Sequence, residues 1–171
     1  MVHVGNMMLS LWVILAVLGL AGPGTVWGSE TVVVVDLAAP VSPGIQLTIS
    51  PQTINFPNAD PDTTPSIGAV ENPVQVEADA NAGKTKTVLL TVQAQGDLVS
   101  GGDAIPISNV RWTATGTGYV AGIMSNTTAV TAGTWVGPGT HRGTFSFFLT
   151  NSWQYNRGNY QASVIYTLSV P

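Results

Sequence analysis

The sequence predicts an all-β protein: one antiparallel β-sandwich, Ig-like or jelly-roll-like, of seven to nine strands, with a closed barrel as the alternative. Three observations carry this. Short segments that alternate apolar and polar residues recur between Gly, Pro, Asn and Asp clusters. Beyond residue 28 no segment repeats its apolar residues at the 3.6-residue spacing of a helix. Polarity comes from hydroxyls rather than charges: only 8% of the chain is charged, while Thr and Ser make up 30 of the residues from 29 onward. Threonine is β-branched and sits well on a solvated strand face.

Residues 1–28 read as a cleavable signal peptide. Met7 to Leu20 is apolar except for Ser10, too short to span a bilayer as a helix. Ala21-Gly22-Pro23-Gly24 breaks the run, and small residues precede Ser29. The segment lacks Lys and Arg, so a retained N-terminal anchor is the competing reading. Residues 29–44 form an N-terminal extension. Its Thr31, Val32, Val33, Val34 and Val35 make a β-prone burst, and Pro40, Pro43 and Gly44 punctuate the stretch from Asp36 to Gly44. This is a candidate inter-subunit strand on a linker, or else an ordinary edge strand.

The sandwich domain is expected over 45–171. Strands are predicted at Ile45–Ser50 and Thr53–Phe56, before a Pro- and Asp-rich loop at 57–65. Val74–Ala78 and Thr85–Ala94 flank a turn and are expected to form a hairpin. Val110–Thr115 carries Trp112, expected in the core, and Thr128–Val136 carries Trp135. Thr144–Thr150 puts Phe145, Phe147 and Leu149 on one face. Asn151 to Asn159 connects to a long last strand, in which Tyr160, Ala162, Val164, Tyr166, Leu168 and Val170 share a face. Its other face, Gln161, Ser163, Thr167 and Ser169, lacks the lysine that protects exposed edges. The strand is therefore expected inside a sheet, paired on both sides, or covered by a partner. If that face is core, Tyr166→Ala or Leu168→Ala costs about 2–5 kcal/mol.

Nine acidic and five basic residues give a net charge of −4, which argues against a nucleic-acid partner. Once the signal is removed, no membrane partner is expected either. With no cysteine, disulfide frameworks, thiolate metal sites and cysteine nucleophiles are excluded. Gly83-Lys84-Thr85 looks like the tail of a phosphate loop, but Ala78 stands where the leading glycine is needed and a strand comes next, so a turn is expected. His141, the one histidine after residue 28, falls in the turn Gly137–Gly143 with no serine elbow to serve. Glu71, Glu77, Asp97 and Asp103 sit singly at strand ends or turns. Asn58, Asp60 and Asp62 offer oxygens but lack the glycine and distal glutamate of a calcium loop. No catalytic residue, cofactor or metal site is assigned. Trp153 and Tyr155, in the last connection, are candidate glycan contacts, since exposed aromatic faces stack on sugar rings. Asn126-Thr127-Thr128 fits a glycosylation sequon.

Lys86 to Ala94, with the glycine-rich loop and Ile105 to Trp112 after it, resembles bacterial surface β-domains of the WxL type. Gly158-Asn159-Tyr160 and Tyr166 to Pro171 look like that group's closing strand. The family's Trp-x-Leu motifs fall on Val88-Leu89-Leu90 and Tyr166-Thr167-Leu168, without their tryptophans. Secreted fimbrial and spore-coat-U-like subunits share the terminal alternating strand. Export, an all-β chain without assigned catalytic residues and the separable strand at Thr31–Val35 set the expected function: a non-enzymatic structural subunit of a bacterial surface fibre or coat, assembled by strand addition and passing through the periplasm in a Gram-negative host. Its expected partners are copies of itself or other surface subunits. The alternative is a module that binds glycan or cell wall.

Overall fold

The computed structural model describes residues 44–171. The expected signal segment and the Thr31–Val35 strand lie outside the described residues. In chain order the elements are β1 (Gly44–Ser50), β2 (Ser66–Gly68), β3 (Val74–Asn81), β4 (Thr87–Ala94), β5 (Leu98–Ser100) and β6 (Asp103–Ile105). A 3-10 turn at Ile107–Asn109 leads to β7 (Val110–Thr115), β8 (Gly122–Ile123), β9 (Val130–Val136), β10 (Gly139–Thr150) and β11 (Val164–Ser169). Seven of these strands run six residues or more, while β2, β5, β6 and β8 have two or three.

The protein is an all-β antiparallel sandwich. One sheet has the order β1-β3-β10-β7-β8, with β2 also paired to β10; the other is β11-β4-β9; β5 and β6 form a separate ribbon. Alternation sends Val74, Val76, Ala78 and Ala80 of β3, and Val88, Leu90, Val92 and Ala94 of β4, into one core. Aromatic rings tie the sheets together. Phe145 of β10 stacks on Tyr166 of β11 at 6.5 Å between centroids. Trp112 is buried as expected, its indole N–H donating to the Val120 carbonyl at 2.8 Å.

Four expectations are corrected. β3 and β4 are not a hairpin: β3 pairs with β1 and β10, whereas β4 pairs with β11 and β9. Two strands that each bury a full apolar face satisfy both by facing one another across the core, so the turn at 82–86 crosses between sheets. The backbone N–H of Lys86 donates to the Gly83 carbonyl there at 2.8 Å, and no helix comes after it. Thr53–Phe56 is not a strand; Asn55 is held instead by Glu71, through its backbone N–H at 2.6 Å and its side-chain amide at 2.7 Å. The expected turn at 137–143 shrinks to Gly137-Pro138, because Gly137 takes a φ of +83° that permits a tight corner from β9 into β10. His141 thus lies in a strand. The last strand is six residues long, with Gln161 making only an isolated bridge to Val99.

Candidate functional site

Two places combine accessible chemistry with defined geometry. The first is the loop end bearing Trp153. Trp153 is 68% exposed, and its indole N–H donates to Asp62 Oδ1 at 3.0 Å, joining residues from two distant loops. Asp60 organises the second loop: its Oδ1 accepts from the Asp62 backbone N–H at 2.9 Å, and its carbonyl accepts from the N–H groups of Thr63 and Thr64. Asn151 anchors the Trp153 side by donating to the carbonyls of Ala59 and Thr64, both at 3.0 Å. The result is an aromatic face beside a carboxylate, a pairing that suits a sugar ring with its hydroxyls. Tyr155 is turned inward. It is half-buried, and its hydroxyl accepts from Asn109 Nδ2 at 2.6 Å; it braces the loop behind Trp153.

The remaining sequence candidates are dispersed. Glu71 holds Asn55, and these two hydrogen bonds keep its carboxyl below the ordinary carboxylate range. Glu77 pairs with Arg142 at 2.7 Å on the outer face of the larger sheet. Asp97 accepts from the Ile107 N–H and Asn126 Nδ2; Asp103 accepts from Asn156 Nδ2. Each carboxylate fastens its own strand or loop. Among the described residues no three His, Cys, Asp or Glu side chains converge as metal ligands would. His141 stacks on Trp135 at 4.6 Å and 13°, with Nε2 buried and without a hydrogen-bond partner. Burial lowers its pKa, partly offset by Asp79.

The second place is the edge of the smaller sheet. β11 pairs with β4 from Val164↔Ala94 to Ser169↔Leu89, and among the described residues nothing pairs with its other side. The expectation of pairing on both sides within the chain is thereby corrected: the strand order places β11 at an edge, because β9 takes the far side of β4. The Gln95 N–H donates to the Ser163 carbonyl at 2.8 Å. Antiparallel ladders alternate bonded and non-bonded pairs, so Ile165, Thr167 and Ser169 also bond toward β4. The N–H and C=O groups of Val164, Tyr166 and Leu168 therefore point outward. None of the residues of β4, β9 and β11 is charged. On the outer face Thr91, Gln93, Asn126, Ile165 and Thr167 line a shallow concavity of about 370 Å³. Charge-free strands were visible in the sequence; that all three share a sheet was not.

No protein-family model matches this chain, and no curated protein matches its sequence.

Proposed function

We propose that this chain is an exported, non-enzymatic structural subunit of a bacterial surface fibre or coat, assembled by strand addition. The observation that carries the reading is the open edge at β11: a charge-free strand with outward N–H and C=O groups is a template for a further strand. Backbone hydrogen bonds supply affinity, and alternate side chains of the added strand settle beside the half-buried Tyr166 and Leu168. The signal-like residues 1–28 and the β-prone segment Thr31–Val35 support export and a separable donor strand. Deleting residues 29–44 tests this by sedimentation and electron microscopy. The expected result is that the full chain polymerises and the deletion stays monomeric; polymers unchanged by the deletion, or a strictly monomeric full chain, refute the mechanism.

A second reading is favoured by one observation, the exposed Trp153 ring beside Asp62. On this reading the loop end binds glycan or cell wall. Retention by polysaccharide or peptidoglycan beads, lost on Trp153→Ala, supports it, and no retention across a broad glycan panel removes it.

A further inference from the structure

Among the described residues the two sheets of the sandwich end in four edge strands, β1, β8, β9 and β11, and they are not equivalent. β8 is two residues long. The outer side of β9 is already occupied: the Thr134 N–H donates to the Gly118 carbonyl, and the Val120 N–H to the Ala132 carbonyl, both at 2.9 Å. β1 and β11 remain, approaching each other along one side of the sandwich. That side is the thinly covered part of the core. Leu47 and Ile49 of β1, and Val164, Tyr166 and Leu168 of β11, are only half-buried, whereas the inward residues of β3 and β4 are fully buried.

The surroundings separate β1 from β11. Beside β1 on the outer face, Gln46 pairs with Asp79 and Thr48 with Glu77, and Arg142 lies on the next strand. A strand added to β1 lies beside this charged face. Beside β11, the β4 residues that pair with it are uncharged, as are its own, and Ile165 on the outer face is 51% exposed. Thr31-Val32-Val33-Val34-Val35 has valine on both of its faces. Strands with two apolar faces belong where both faces meet apolar or uncharged neighbours. Eight residues, Asp36 to Pro43, separate this segment from β1. Eight residues of any conformation span at most about 28 Å, a reach that allows the segment to meet the edge of another molecule.

Resting on the strand-addition reading, we propose that β11 is the acceptor edge and that its occupant is the Thr31–Val35 segment of a second copy of this chain. One face of the donor covers Val164, Tyr166 and Leu168, and the other continues the charge-free outer surface past Ile165.

The absence of native cysteine makes cross-linking a clean test. Full-length chains with one cysteine placed in turn at residues 31–35 are mixed with chains carrying Ile165→Cys or Thr167→Cys, under mild oxidation. Gln46→Cys and Thr48→Cys report the competing β1 edge. The expected result is an intermolecular dimer with the β11 cysteines for at least one donor position, and none with the β1 cysteines. Val164→Pro in the acceptor removes one outward N–H without breaking a bond to β4 and loses the cross-link; Val164→Ala keeps it. Cross-linking through β1, intramolecular cross-linking in a chain carrying both cysteines, or an unchanged yield with Val164→Pro overturns the assignment. Sedimentation of the same samples separates the two readings. Polymers without a β11 cross-link refute the edge assignment and leave assembly standing; a chain that stays monomeric refutes both.

Discussion

Tyr119 sits where the two sheets meet. Its ring lies edge-on to Trp135 at 4.9 Å and to Phe145 at 5.7 Å, and its hydroxyl donates to the His141 carbonyl at 2.7 Å. Burial pushes its pKa up to about 12, so it stays a donor at physiological pH. The loop that delivers Tyr119 turns at Gly118, whose φ is +82°, and a Cβ there would meet the Thr134 carbonyl and the Trp135 ring. Gly118→Ala combines backbone strain with overpacking and is expected to cost about 2–4 kcal/mol, measured by urea unfolding. His141 gives a pH signature. Its folded pKa lies below the ordinary 6.5, so the unfolded chain takes up a proton first. Stability is full above that value and declines as pH falls below it. Thermal unfolding between pH 7.5 and 5.5 is expected to show the decline, and His141→Phe, which keeps an aromatic ring on Trp135, to flatten it. Glu71 acts lower on the scale. Its carboxyl is held below the ordinary 4.5, so its contribution is present above that pH and lost as pH falls through its folded value.

At the scale of elements, β4 and β11 show how position in a sheet sets energy. Leu90 of β4 is fully buried between β11 and β9, and Leu90→Ala is expected to cost about 2–5 kcal/mol. Leu168, its register partner on β11, is half-buried at the edge. Leu168→Ala is therefore expected to cost about 1–2 kcal/mol in the monomer, below the range expected for a core position, because less apolar area is lost from contact. If a donor strand covers the edge, the same substitution costs more in the assembled state. Comparing chemical unfolding of monomer and polymer measures the difference. The alternation of β3, β4 and β10 was legible from the chain. The partner of each strand was not, because alternation reports which residues face inward and is silent on which sheet supplies the opposite wall. That is why β3 and β4 read as a hairpin yet face each other across the core.

For the whole molecule, the division of charge between the two sheets sets the expected behaviour in solution. The larger sheet displays Glu77, Asp79, Arg111 and Arg142, with Arg111 also over the Phe148 ring at 4.7 Å, while the smaller sheet has no charge. Assembly through the smaller sheet is therefore expected to be insensitive to salt, since screening acts only on charged contacts. Sedimentation between about 50 and 500 mM salt checks this, and dissociation at the higher concentration would point to the charged face instead. The amino-acid sequence by itself determined the all-β class, the inward-facing residues of most strands and the burial of Trp112, because period-2 alternation and turn chemistry are local properties. It also marked Trp153 and the charge-free terminal strand. Only the tertiary structure decided that Trp153 meets Asp62, that His141 stacks in a strand, and that among the described residues β11 is an edge with one side of its backbone unpaired. Those facts depend on which strands become neighbours, and strand order is settled by packing two apolar faces against each other, not by any single segment.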